Sequence, residues 1–420
     1  MSHRLFERLL GSRSRMRSGG RRVVGFGLSV FVSTAVSLAS IPAMIAASGE
    51  AAWGAIALGQ SIGTIGGVAV GYGWGWFGPS RIAKYAAGER RTEYLESLIA
   101  RGILFLPVAA VAACVTYALA PTTPLLGVAG AVSTTSVGLS AAWYFVGLAK
   151  PFAMLALETL PRSVPSALGI FLMYAGHSAV MGPLGVLCGT VAALIFSSVW
   201  IVRKSTSADK HDHPLRSPWT LLAINRHGLA SAFAATIYTS APLAIVSIAA
   251  PHIQATFALV DRVRVLVTVA AAPTVTVLQG WVPHATHSGR VNRANAALLS
   301  ASVLATALGL VTGVMGQSAI NWFGNRQISV SGPVVTLLAA CVAISYFQSV
   351  LEKAVLATLE FLQRVTRALT VGFIVTAPLI YYGAHELGVP GALGGFLLGL
   401  LVVVGIELFA YARAASSDPT

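Results

Sequence analysis

The sequence predicts an all-α integral membrane protein of about twelve transmembrane helices, arranged as two six-helix halves around a central cavity. Three observations predict it. The chain is 55% hydrophobic and only 10% charged, with a mean hydropathy of +0.76, whereas soluble domains carry about a quarter charged residues. Apolar stretches of about 20 residues, enough to cross the hydrocarbon core as a helix, recur along the whole length. Basic residues gather in alternate loops, as the positive-inside rule requires of cytoplasmic ones. Lys and Arg outnumber Asp and Glu by 28 to 14. In a soluble chain that excess would suggest a nucleic-acid partner; here it holds loops in the cytosol, and no nucleic acid is expected.

Residues 1–22 form a basic cytoplasmic segment with seven arginines against Glu7. The apolar run that follows, 23–48, is too long for a signal-peptide core of about 7–15 residues, so it reads as an uncleaved first span. The twelve spans centre near residues 35, 65, 109, 135, 163, 191, 234, 267, 306, 342, 374 and 401. Loops at 79–96, 203–218, 284–294 and 360–367 carry the arginines and lysines and are predicted to face the cytosol, as are both termini. The expected division is an N-terminal half over 23–202, a linker over 203–218, a C-terminal half over 219–413 and a tail over 414–420.

Two weak self-similarities support duplication. Gly78-Pro79 after the second span resembles Val282-Pro283 after the eighth, and Gly182-x-x-Gly185 opening the sixth resembles Gly391-x-x-Gly394 opening the twelfth. Both offsets are near half the chain, which suits two halves of like orientation. The second span also repeats glycine every fourth residue, from Gly59 to Gly75. That spacing makes a groove for a crossing helix. Gly73-x-Gly75-x-x-Gly78 matches a dinucleotide fingerprint by letters alone, since no strand precedes it.

No phosphate-binding loop, His-Glu-x-x-His or nucleophile elbow occurs, so no enzyme is expected. Cys114, Cys188 and Cys341 each sit in an apolar run with no metal-ligand spacing, and no cofactor is expected. Asp209, His211, Asp212 and His213 lie in the polar linker and read as a solvated charge run. His284 and His287 read as loop histidines.

Chemistry is left to charges inside the spans: Glu158 and Arg162, Asp261, Arg262 and Arg264, Glu352 and Lys353, and Glu407. Each costs about 2.5–3.5 kcal/mol at mid-bilayer even on lenient scales. If the fifth span starts near Lys150, Arg162 lies about 18 Å along it, with Glu158 one turn away on the same face. Asp261 and Arg264 share a face, while Arg262 points about 100° away and needs another partner. Such pairs can be self-neutralising packing devices. Buried guanidinium groups also suit a phosphate-bearing ligand. Lys353, near a cytosolic end, can snorkel.

Trp143-Tyr144-Phe145-Val146-Gly147, followed by a basic turn, resembles the aromatic-glycine signature of bacterial polysaccharide exporters, the O-antigen flippase family of the multidrug/oligosaccharidyl-lipid/polysaccharide (MOP) superfamily. Ser80 to Tyr85, Ala258-x-x-Asp261-Arg262, Trp281-Val282-Pro283, Asn321 to Gly324 and Gly391 to Gly394 are similar to that family in order and spacing. Relatives usually show a neutral amide where this chain has Glu158. The resemblance implies a flippase for an isoprenyl-diphosphate-linked oligosaccharide in the bacterial cytoplasmic membrane, working by alternating access. Arg162, Arg262 and Arg264 would hold the diphosphate, and Glu158 or Asp261 would respond to a coupling ion. The expected partners are that lipid-linked sugar, membrane lipid, and polymerase and glycosyltransferases of the same pathway. The alternatives are a cation-coupled multidrug exporter of the same superfamily and a membrane polysaccharide polymerase. A lipid II flippase would usually have fourteen spans rather than twelve.

Overall fold

A computed structural model describes residues 2–120, 122–205, 215–282, 287–357 and 362–416. The linker cluster Asp209, His211, Asp212 and His213 and the loop residue His284 lie outside the described residues. Every regular element among the described residues is helical. This is the outcome the bilayer demands, since a helix satisfies its backbone polar groups within itself.

The elements follow in order. Helix α1 (Ser2–Gly71) bends at Gly49, whose φ of 80° is open only to glycine without strain. Then come α2 (Trp74–Lys84), α3 (Ala87–Leu119), α4 (Pro124–Ser136) and α5 (Ala142–Gly147). A short α6 (Pro151–Met154) runs through a π-helical turn, Leu155–Thr159, into α7 (Leu160–Tyr174). Next are α8 (Met181–Ser205), α9 (Pro218–Ala249), α10 (Gln254–Ala270), α11 (Ala272–Trp281) and α12 (His287–Phe323). Helix α13 (Gly332–Val350) continues into a second π turn, Leu351–Leu356. The last, α14 (Leu362–Ser416), bends at Gly388 with φ 66°.

Among the described residues, eight stretches are long and apolar enough to cross a membrane. Two of them, Gly25–Gly71 and Val365–Arg413, have 47 and 49 residues and are folded by Gly49 and Gly388 into two arms each. The remaining passages, 151–174 and 254–281, are interrupted helices that carry Glu158, Arg162, Asp261, Arg262 and Arg264. Counting each arm, these make twelve helical passages among the described residues, the number that the hydropathy predicts. The two interrupted passages hold five of the charged candidates, whereas Glu352, Lys353 and Glu407 lie in the long apolar stretches. Three loop expectations are corrected, since those at 284–294 and 360–367 are already helix from His287 and from Leu362. The loop predicted at 79–96 is helix except around 85–86, because α2 runs through Pro79 to Lys84 and α3 begins at Ala87.

Chain contacts divide the molecule into two compact units. The first comprises Met1–Ser48, Gly63–Cys114 and Val128–Ala232, and the second Gly49–Ile62, Val115–Gly127 and Phe233–Thr420. The core of the first is aromatic: Trp74, Tyr94, Trp143, Tyr144 and Phe145 are buried together. Tyr144 stands edge-on to Tyr94 and Trp143, with centroids 5.6 and 6.0 Å apart. The Trp-Tyr-Phe-Val-Gly signature is therefore a packing node. A Cβ on Gly78 would come within 2.3 Å of the Trp143 ring, so the would-be fingerprint glycine is a seat for this indole. The glycine stripe also packs. A Cβ on Gly63 would lie 2.5 Å from the Ala131 carbonyl of α4, and one on Gly138 would lie 2.4 Å from the Gly67 carbonyl. In the second unit small residues again set the spacing: Ala271, Ala301, Ala305 and Ala354 surround Tyr346 and Val350.

Candidate functional site

In the first unit the chain turns through Ala149 (φ 52°), and Pro151 opens the helix immediately after Lys150. The π turn then carries Glu158, which is 2% exposed. A π turn inserts an extra residue into the helical register and often marks function. Glu158 Oε1 accepts from the Arg162 guanidinium and from the Ser140 hydroxyl. Ser197 Oγ stands 3.1 Å from Glu158 Oε2. Arg162 keeps contact with the surface of its unit, at 23% side-chain exposure, and its Nε has no hydrogen-bond partner among the described residues.

Ser140 links this pair to a residue absent from the predicted set. Arg101, 1% exposed, donates from Nη1 to the carbonyls of Ser140 and Gly138 at 2.8 and 3.3 Å. Its Nε donates to the Ser97 carbonyl and its Nη2 to the Ser97 hydroxyl, both at 3.1 Å. All four acceptors are neutral. The guanidinium lies 5.8 Å from the Trp143 ring centroid. A cavity of about 270 Å³ is lined by Arg101, Trp143, Ser140, Gly138, Gly67 and Gly71. The Trp143 indole N–H has no hydrogen-bond partner among the described residues. A loop drawn to residue 96 leaves Arg101 just inside its span, where a snorkelling arginine needs no explanation. A helix that begins at Ala87 places it deep.

The second unit holds the other three candidates. Arg264, 5% exposed, donates from Nε to Asp261 Oδ1 at 2.8 Å and lays its guanidinium 4.7 Å from the Phe396 centroid. Arg262 points away from this pair, as the helical angle predicts, and donates to the Gln60 amide oxygen of α1. The structure thus brings together Glu158 with Arg162 and Asp261 with Arg264, and gives Arg262 a neutral partner. Lys353 is exposed and Glu352 half-buried in the second π turn. Glu407 is 1% exposed.

The first unit holds a further ion cluster that the sequence analysis did not single out. Glu93 and Glu96 are 2% and 1% exposed. Arg216, at the end of the linker, reaches both, with Nη2 2.7 Å from Glu96 and 3.1 Å from Glu93. Trp74 Nε1 and Arg81 Nη1 each donate to Glu93 at 3.1 Å. The hydrogen bond from Arg216 to Glu96 holds its guanidinium above the ordinary arginine range. The signal that could have found the cluster is the spacing Glu93-x-x-Glu96, two acids one turn apart on a helix.

No family model matches the chain, and no curated protein matches it. Solved structures do. The eukaryotic MATE transporter AtDTX14 is 13% identical, with a TM-score of 0.59 over 94% of this chain and 95% of that one. An outward-facing multidrug resistance MATE family transporter of the MOP superfamily is 14% identical, with a TM-score of 0.55 over 94% and 96%. A MOP superfamily transporter from Pyrococcus furiosus, whose reversed binding-pocket polarity suggests a different function, is 16% identical, with a TM-score of 0.54 over 95% and 96%. At such identities the likeness is one of fold. The chain is a multi-pass membrane protein with the fold of MOP-superfamily transporters.

Proposed function

We propose that this chain is an alternating-access transporter that moves an isoprenyl-diphosphate-linked oligosaccharide across the bacterial cytoplasmic membrane. The observation that carries this reading is a charge count. Each of the two clusters holds one more guanidinium than carboxylate: Arg101, linked through Ser140, and Arg162 with Glu158, and Arg262 and Arg264 with Asp261. Unbalanced charge inside a membrane is costly, and a diphosphate supplies the missing sign while matching guanidinium geometry. In this reading Arg162, Arg262 and Arg264 take the diphosphate, exchanging a carboxylate or an amide for phosphate oxygens. Glu158 and Asp261, so released, become free to take up a coupling cation. The polyprenyl tail stays in lipid, and polymerase and glycosyltransferases of the same pathway act before and after. Unpartnered donors at Trp143 Nε1 and Arg162 Nε suit a ligand rich in acceptor oxygens.

A second reading is a cation-coupled multidrug exporter. The solved structures of like fold favour it over the first, because they include a multidrug resistance MATE transporter. Against it, surplus guanidinium repels a cationic drug. A fold does not choose a cargo by itself.

Vesicles containing the purified protein decide between them. A labelled polyprenyl-diphosphate oligosaccharide is expected to cross the bilayer with its bonds intact. Arg162→Ala and Arg262→Ala, at equal protein, are expected to slow crossing about tenfold or more, the loss of one charge-assisted contact of about 1.5–3 kcal/mol. Crossing unchanged in both variants removes the diphosphate role. Export of a cationic dye without lipid flipping establishes the second reading, and a newly formed glycosidic bond would make the protein a polymerase.

A further inference from the structure

Glu407 lies in the second arm of α14 and is 1% exposed. Neither of its carboxyl oxygens has a hydrogen-bond partner among the described residues. This sets it apart from Glu158 and Asp261, each of which faces an arginine. Among the described residues no cation is paired with it. From the second π turn come Glu352, a like charge that acts on Glu407, and Lys353, which acts on Glu352. Gln348 of α13 faces it without closing a hydrogen bond. Tyr238 of α9 approaches it, and near Tyr238 stands Arg264 of α10, already held by Asp261. On its own helix Tyr411 is turned to Asn295 of α12, at 2.8 Å.

An isolated carboxylate in such surroundings carries the full cost of desolvation, and buried acids escape that cost by becoming neutral. A second acid nearby adds to it, since two like charges at close range cannot both ionise cheaply. A metal cation would need several oxygen ligands, and no group of three acidic, histidine or cysteine side chains capable of holding one occurs among the described residues. We propose that Glu407 is a proton-binding site: a neutral carboxylic acid in this conformation, which gives its proton to water when its unit opens and regains one from water afterwards. The coupling of that proton to transport rests on the transporter reading above; its presence on Glu407 does not.

Infrared difference spectroscopy of the full-length protein in lipid nanodiscs tests occupancy. Wild type at pH 7 is expected to show a carboxylic-acid C=O band that shifts on labelling with ¹³C-glutamate. Glu407→Gln is expected to lose the band, and the exposed control Glu386→Gln to keep it. If the ¹³C-sensitive band is absent from wild type, or survives in Glu407→Gln, the site is overturned. Its removal by sodium at constant pH would equally overturn it in favour of a metal-cation site. For coupling, flipping of the lipid-linked donor by wild-type vesicles is expected to respond to an imposed pH gradient, and flipping by Glu407→Gln to lose that response. An unaltered response overturns coupling, whereas no flipping at all by wild type defeats the transport reading and leaves the band to decide the proton.

Discussion

At the scale of single residues, the first unit depends on a chain of contacts from Arg101 through Ser140 to Glu158 and Arg162. Glu158 and Arg162 were legible in the sequence because acids and bases inside apolar runs stand out. Arg101 was not legible, since its depth depends on where α3 begins. The serines were not legible either, as a hydroxyl in a membrane helix most often bonds its own backbone. A double-mutant cycle measures the pair. Arg162→Gln is expected to lower stability by about 3–5 kcal/mol, because it leaves Glu158 buried without its cation. Adding Glu158→Gln to that variant is expected to restore most of the loss, read as the thermal unfolding midpoint in detergent. Additive losses would mean that the two side chains do not act as a pair.

At the scale of elements, small residues set how closely helices approach, and glycines in one stripe are not equivalent. Gly63 faces the backbone of α4, whereas a Cβ on Gly75 meets nothing within 4 Å. Gly63→Ala is expected to cost about 1–3 kcal/mol, since the clashing atom is a carbonyl that cannot swing aside. Gly75→Ala is expected to leave stability unchanged or slightly raised. Equal losses from the two, in the same unfolding measurement, would refute the packing assignment. The four-residue spacing predicted a crossing partner, but only the structure shows that the partner is α4. The two π turns were invisible in the sequence. They sit where charges enter the membrane helices, Glu158 in one and Glu352 with Lys353 in the other.

At the scale of the whole molecule, an even number of passages predicts both termini on the same side, and the loop arginines predict that this side is the cytosol. Reporter fusions after residue 2 and after residue 420 are both expected to be active only as cytosolic proteins; opposite sides would mean an odd number of crossings. The number of passages was settled by the sequence, because insertion is a local matter: about 20 apolar residues suffice whatever the rest of the chain does. Even the interrupted spans, 151–174 and 254–281, showed themselves by net hydropathy. The loops were less legible, since α2 and α3 extend as helix through residues whose polarity suggested a cytosolic turn. What the tertiary structure alone decided is the state of each charge. Arg262 meets Gln60, some 200 positions away in sequence, Arg216 meets Glu93 and Glu96, and among the described residues Glu407 meets no cation. Apolar burial is additive along a chain and can be read from composition. A charge in low dielectric is stabilised or left costly by one or two atoms within about 4 Å, and no local pattern says which distant residues supply them.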